Sequence, residues 1–305
     1  MFSLANIYYR YGSFFSMILN ELTKKQISKK LPDSIIWQYQ KATWRKRFLP
    51  NFIIIGAQKS GTSSLFNYLN QHPRLVGGFI KEINFFNGGV EVGNDNYKKG
   101  EKWYRAQFPP ENRKLPNSKA FEASPLYLFN PLVPKRIFHS IPDCKLIAVL
   151  RDPTDRAISH YFHEKRKGRE PLPILEAYKQ EEVRLKSVLE AQDFKSRAFR
   201  TFSYKSRGRY GEQLDRFLRH FPQQQMLILS SEELFESPKM TLGRIFDFLE
   251  VDANMASIDL SPQNVGSNRV KVGPEVHEYL DEYFHPYNQA LYELLGKSYG
   301  WGNKL

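Results

Sequence analysis

The chain has a single cysteine, Cys144, among 305 residues, so no intramolecular disulfide can form and the fold does not depend on an oxidising compartment. Long apolar runs are also missing. No stretch reaches the roughly 18 apolar residues that a membrane-spanning helix needs. The opening, MFSLANIYYRYGSFFSMILN, offers only a short apolar patch from Phe14 to Leu19 with no basic leader before it. That pattern predicts no signal peptide and a cytoplasmic protein, with peripheral membrane contact through this segment as the alternative. Internal repeats and low-complexity tracts are absent. Histidine is sparse, and the one close pair, His160 and His163, with Glu164 adjacent, has i, i+3 spacing and no evident partner set, so no metal site is expected. Nothing resembles a nucleic-acid module, and no nucleic-acid partner is expected.

What is present is a strongly basic chain of ordinary hydrophobicity. The formal net charge is +13, which suits an anionic partner such as an acidic polysaccharide, anionic lipid or a phosphorylated cofactor. Cys144 stands beside the apolar run Leu146 to Leu150, where a buried, inert thiol is expected.

Strand and helix signals alternate. Phe52 to Ile55 is a continuous apolar run, as in a strand covered on both faces, and it is followed by a glycine turn and a helix from Thr62 to Asn70. Further strands are predicted at Lys119 to Glu122, Lys145 to Leu150 and Gln225 to Ser230. Helices are predicted at Thr154 to Lys167, Leu172 to Leu189 and Gly211 to His220. Another is capped by Ser237 and runs through Leu249, and a last one, kinked at Pro286, extends from Pro274 to Gly296. Asn87 to Gly100 reads as a long mobile loop. The fold class is therefore α/β, three layers with a P-loop-like central parallel β-sheet flanked by helices. Residues 1–49 are expected to form an N-terminal helical annex, and residues 50–305 the main domain.

Two segments carry anion-binding chemistry. The first is Gly56-Ala-Gln-Lys59-Ser60-Gly61-Thr62-Ser63-Ser64, between a buried strand and a helix. Its glycines let backbone N–H groups point inward, the helix N-terminus favours an anion, and the hydroxyls of Ser60, Thr62, Ser63 and Ser64 add donors. The spacing nearly matches G-x-x-x-x-G-K-[ST], but Thr62 stands where a triphosphate loop has lysine, and the local cation is Lys59. The second is Arg151-Asp-Pro-Thr-Asp-Arg-Ala-Ile-Ser159, with Arg151 at a strand's C-terminal end and Ser159 about two turns into the helix. A guanidinium suits a phosphate bidentately, although an ion pair with Asp152 or Asp155 would also explain Arg151. Two separated anion sites suit a nucleotide phosphorylated at both 3′ and 5′ positions.

These residues resemble the sulfotransferase superfamily, which uses 3′-phosphoadenosine 5′-phosphosulfate (PAPS), and within it the heparan-sulfate and related carbohydrate branch. Three ordered blocks carry the resemblance: FIIIGAQKSGTSSL, Lys81-Glu82-Ile83-Asn84-Phe85-Phe86, and LRDPTDRAISHY. Weaker matches run through Arg207-Gly-Arg-Tyr210 and Asn268-Arg269-Val270-Lys271. The resemblance implies sulfuryl transfer to a hydroxyl or amine, with a glycan or glycoconjugate as acceptor and no metal. It implies that Lys59 and the loop bind the 5′ end of the donor and that Arg151 and Ser159 bind the 3′-phosphate. Glu82 would be the general base and Tyr210 part of the cofactor site; the relatives' late K-G-R cofactor loop is replaced by Asn268-Arg269-Val270-Lys271, where Arg269 and Lys271 could serve or form a solvated basic turn. Relatives have K-E-P-H-F-F-D where Ile83, Asn84 and Asn87 stand here, and E-K-T-P where this chain has Glu122-Ala-Ser-Pro125, which leaves the acceptor open. A P-loop kinase or NTPase, and a non-catalytic protein that holds acidic glycans, are the alternatives.

Overall fold

The computed structural model describes residues 32–91, 93–111, 115–253, 258–262 and 272–302. The apolar patch at Phe14 to Leu19, most of the expected N-terminal annex, and the Arg269 and Lys271 positions lie outside the described residues.

Five strands form one parallel sheet in the order β2-β3-β1-β4-β5. They are β1 (Phe52–Gly56), β2 (Leu75–Gly77), β3 (Lys119–Ala123), β4 (Lys145–Leu150) and β5 (Met226–Ser230). The strand faces explain the apolar runs. Ile53, Ile55, Leu146 and Ala148 pack on one side of the sheet, and Phe52, Ile54, Ile147 and Val149 on the other. Both sides are roofed by helices, so both must be apolar.

The helices in chain order are α1 (Asp33–Ala42), α2 (Thr62–Asn70), α3 (Gly100–Arg105), α4 (Val133–Ser140), α5 (Pro153–Arg166) and α6 (Ile174–Lys179). They continue with α7 (Glu181–Glu190), α8 (Arg197–Phe202), α9 (Tyr210–Leu218), α10 (Ser231–Glu236), α11 (Pro238–Leu249) and α12 (Pro274–Leu295). Leu65, Tyr68 and Leu69 of α2 and Leu242, Ile245 and Phe246 of α11 cover one face of the sheet. Ile137 of α4, Leu214 and Phe217 of α9, and Leu291 of α12 cover the other. This is the expected three-layer arrangement. Cys144 is buried, and its thiol is pushed well up by burial.

Several local expectations need correction. The helix expected from Leu172 to Leu189 is two helices, broken at Gln180, because Glu181 turns its carboxylate inward to accept from the backbone N–H groups of Lys205 and Ser206. Pro238 opens α11, but Ser237 makes no side-chain cap; the true capping box is Ser230 with Glu233 at α10. Phe85 and Phe86 are core residues packed among Tyr97, Trp103, Tyr104 and Tyr127. Asn87 to Gly100 is tied down in its described part. Asn96 N–H donates to the Gly88 carbonyl at 2.9 Å, Asn96 Nδ2 to the Asn84 carbonyl at 3.3 Å, and Arg136 pairs with Asp95 at 3.6 Å. Side-chain amides there satisfy backbone groups that glycine-rich sequence leaves unpaired.

Candidate active site

The ends of β1, β3 and β4 and the segments after them open into one cavity of about 1570 Å³. Carboxyl ends of strands in an open α/β sheet are the usual ligand position. Lys59, Gly61, Thr62, Ser63, Glu82, Arg151 and Ser159 all line it.

The first loop crosses from β1 to α2. Ala57 N–H donates to the Val149 carbonyl at 2.7 Å, which hangs the loop on β4, and Lys59 adopts a left-handed backbone with φ 71. A lysine held in that region costs energy that the surrounding contacts must offset. Gly61 caps α2 with φ 91, and a Cβ there would lie 2.9 Å from Phe235 Cζ. Gly61→Ala is therefore expected to cost at least about 1–2 kcal/mol from backbone conformation alone, read as a lowered Tm, with loss of anion binding at the loop.

The second anion segment sits beside the first. Arg151 leaves the end of β4, and Asp152 caps α5 by accepting from Thr154 N–H at 2.9 Å and Asp155 N–H at 3.3 Å. Arg151 Nη2 lies 3.6 Å from Asp155 Oδ2, so the expected ion pair exists. Its Nη1 lies 3.5 Å from the Lys59 carbonyl, which joins the two anion segments directly. Ser159 faces the same cavity from the second turn of α5.

Three predicted cofactor residues do not present their side chains to the cavity. Ser60 and Ser64 are fully buried, because the tight turn and the α2 interface turn them inward. Tyr210 is also buried. Its hydroxyl donates to the Arg151 carbonyl at 3.0 Å, so it holds the strand end that carries Arg151.

Glu82 lies on a separate loop with φ 63, and its N–H donates to the Ala123 carbonyl at the end of β3 at 2.9 Å. Its side chain is half exposed and pairs with Lys81 at 3.1 Å. An exposed pair of this kind is worth at most about 1 kcal/mol, so the carboxylate is free to exchange that partner for another.

The cavity is strongly basic. Eight lysines and arginines line it against five carboxylates. Burial lowers the Lys59 ammonium pKa, and Arg166, Arg151 and Lys167 lower it further, while Glu164 opposes them. Burial, with Lys167, Lys59, Arg166 and Arg169 nearby, pushes His163 down to about 4, leaving it neutral at pH 7. Such a concentration of depressed basic groups marks a site that awaits an anion.

Sequence reasoning missed part of this wall. Arg166, Lys167 and Arg169, a basic run whose sequence fits either a solvated helix end or contact with an acidic acceptor, face the cavity, and Arg197 and Arg200 of α8, which no motif marks, join them. The i, i+3 spacing of those two arginines was the available signal. Ile83, Asn84 and Asn87, which stand where relatives are expected to meet the acceptor, are buried; Asn87 Nδ2 donates to Asn84 Oδ1 at 3.0 Å. No group of residues able to hold a metal ion occurs among the described residues.

Comparison with known proteins is consistent with this site. The profile of the family described as "Sulfotransferase domain" matches residues 49–275. The chain is 30% identical over 277 residues to heparan sulfate glucosamine 3-O-sulfotransferase 5 of Mus musculus, covering 83% of this chain and 74% of that protein. It is 32% identical over 281 residues to heparan sulfate glucosamine 3-O-sulfotransferase 3B1 of Homo sapiens, covering 83% of this chain and 65% of the other. Among solved structures, a sulfotransferase from Alicyclobacillus acidocaldarius superposes with a TM-score of 0.66 at 28% identity, covering 84% of this chain and all of that one.

Proposed function

The chain belongs to the sulfotransferase family, and from that premise we infer how its cavity divides the work of PAPS-dependent sulfuryl transfer. It is a sulfotransferase that moves a sulfuryl group from PAPS to an acceptor hydroxyl or amine. The observation that carries the division of labour is the shared wall: Arg151 stands 3.5 Å from the Lys59 carbonyl, and both line one cavity with Glu82.

The donor, when bound, supplies an activated sulfuryl group on a phosphate leaving group. Lys59, Gly61, Thr62 and Ser63 fit its 5′ end, since they offer a cation, hydroxyls and the N-terminus of α2. Arg151 and Ser159 fit a second phosphate. The depressed Lys59 supports this fit, because negative charge arriving at the loop relieves its desolvation and its repulsion from Arg166 and Arg151. Lys59 would then compensate charge developing on the leaving phosphate, the larger of the two electrostatic tasks. Glu82 would accept the acceptor's proton.

Arg151→Ala tests the phosphate role separately from stability. The Arg151–Asp155 pair is one-third exposed on both sides and contributes little to folding. A guanidinium–phosphate contact is worth about 1.5–3 kcal/mol. Affinity for adenosine 3′,5′-bisphosphate is therefore expected to fall by about 10- to 150-fold, with Tm nearly unchanged. An equal loss of Tm and affinity would assign Arg151 to the scaffold.

The acceptor we propose is an acidic glycan of the heparan-sulfate kind. Two observations support it: the relatives named above act on heparan sulfate glucosamine, and Arg166, Lys167, Arg169, Arg197 and Arg200 extend the basic wall beyond the two anion segments. Transfer of labelled sulfate from PAPS to a panel of heparan sulfate, a neutral polysaccharide and a simple phenol checks this. Label is expected on heparan sulfate alone; label on the phenol and none on the glycan would reject it. We also propose action in the cytoplasm, since the lone, buried Cys144 leaves the fold without any disulfide.

A further inference from the structure

Beneath the Glu82 loop lies a carboxylate that takes no part in the chemistry above. Glu122, at the end of β3, is fully buried and accepts from three hydroxyls: Tyr104 at 2.6 Å, Ser124 at 2.8 Å and Tyr127 at 3.1 Å. Two of those hydroxyls also act as acceptors for the loop. Ser124 Oγ takes the Asn84 N–H at 3.2 Å, and Tyr127 OH takes the Phe85 and Phe86 N–H groups at 2.8 and 3.3 Å. Three successive amides of the loop, two residues beyond Glu82, therefore end on two hydroxyls. The loop needs that support, because Glu82 and Asn84 both hold left-handed backbone, φ 63 and φ 53.

A hydroxyl has one proton, and it can accept from a backbone amide in this geometry only while that proton points elsewhere. Here it points at Glu122. We propose that Glu122 is a positioning residue for sulfuryl transfer, whose carboxylate orients the Ser124 and Tyr127 hydroxyls so that they clamp residues 84–86 and fix Glu82 at the cavity wall. The inference rests on Glu82 serving as the base.

The clamp is fully set only in the carboxylate form. A protonated Glu122 carries an O–H that needs an acceptor of its own, and the nearest oxygens are the hydroxyls that donate to the carboxylate. Where Ser124 or Tyr127 takes that proton, its own O–H turns away and its hold on the loop amides weakens. Burial raises Glu122 to about 7, with Tyr104, Ser124 and Tyr127 opposing the rise. The titratable groups facing it are Tyr104 of α3, Tyr127 of the segment after β3, and Cys144 before β4, all held well above their usual values. None of these changes charge near pH 7, and His163 on the cavity wall is already neutral there. The sign is distinctive. The folded chain binds this proton more tightly than an unfolded chain does, so between pH 7 and 4.5 its uptake stabilises the fold while it loosens the clamp.

Glu122→Gln and Tyr127→Phe test this in the full chain, with kcat, KM for PAPS and for heparan sulfate, bisphosphate affinity and Tm followed from pH 5.5 to 8.5. In the parent, kcat is expected to fall below pH 7 along a limb that is not accompanied by unfolding. Glu122→Gln is expected to lose about 10- to 100-fold in kcat, the scale of a misplaced catalytic group, to lose that limb, and to bind the bisphosphate within twofold of the parent. Tyr127→Phe, which keeps the ring and removes the hydroxyl, is expected to show the same kcat loss at unchanged bisphosphate affinity. A folded Glu122→Gln or Tyr127→Phe with parental kcat overturns the proposal, as does a parental acid limb in Glu122→Gln. A Glu82→Gln variant run alongside keeps the two readings apart. Its retained turnover would remove Glu82 as base, whereas its inactivity beside a fully active Glu122→Gln would remove only the clamp.

Discussion

Glu82→Gln is expected to lower kcat by about 100- to 10,000-fold, the usual contribution of a positioned general base, while leaving the affinity for adenosine 3′,5′-bisphosphate unchanged. The amide has nearly the same shape, so the loop from Lys81 onward keeps its anchor at the Ala123 carbonyl and its support at Ser124 and Tyr127. What disappears is the ability to take a proton from the acceptor. Stability should move little, because the charge partner lost among the described residues is Lys81 in a half-exposed pair. Steady-state turnover with heparan sulfate, set beside nucleotide titration and Tm, separates these effects. Turnover within about threefold of the parent would contradict the assigned base.

Lys59→Ala should also be severe in catalysis, yet it should raise stability. Losing the one cation within the first anion loop removes charge compensation at the leaving phosphate, a loss of about 100- to 1,000-fold in kcat by analogy with other preorganised donors, and weakens donor binding as well. In the free protein, however, Lys59 is a liability. Its ammonium is partly buried among Arg166, Arg151 and Lys167, and its pKa is lowered accordingly. A lysine whose folded pKa lies below its unfolded value destabilises the fold at every pH where both states are charged, and that cost fades as pH rises through the folded pKa. Lys59→Ala is therefore expected to raise Tm at pH 7 and to lose that advantage at alkaline pH, while turnover falls by the factor above. Melting curves across pH, with and without the bisphosphate, check both halves. A variant that melts lower than the parent at pH 7 would mean that Lys59 is held by attractive contacts and is not poised for an anion.

Lys59 and Arg151 stand in segments legible from the sequence for a local reason, whereas Glu82 rested on the resemblance carried by Lys81 to Phe86. The β1–loop–α2 unit is written in consecutive residues: an apolar strand, a glycine pair, hydroxyls and a helix with Leu65 and Leu69 on its buried side. The same holds for β4, Arg151 and α5, where Asp152 and Pro153 announce the helix start. Burial direction inside a turn is not written in that way, which is why Ser60 and Ser64 looked like ligand donors. Their hydroxyls are turned inward by packing that residues far along the chain provide, and Tyr210 came to the site by holding the Arg151 carbonyl from 59 residues away. Arg197 and Arg200 reach the cavity through a similar tertiary arrangement, the packing of α8 against α7, that no motif records. Nothing in the sequence marked Glu122 as a support for the loop: it matches the first residue of the relatives' E-K-T-P segment, while Ala123 and Ser124 depart from it, and its partners Tyr104 and Tyr127 lie on other segments.

The most direct test of the account is a paired titration of the parent and Arg151→Ala with adenosine 3′,5′-bisphosphate and with adenosine 5′-monophosphate, by calorimetry at fixed salt. If Arg151 serves a second phosphate beside the Lys59 loop, removing the guanidinium and removing the 3′-phosphate cost the same affinity, and doing both costs no more than doing either. If Arg151→Ala weakens the monophosphate as much as the bisphosphate, or if the parent cannot tell the two nucleotides apart, the two strand ends do not hold one doubly phosphorylated adenosine and the assignment fails.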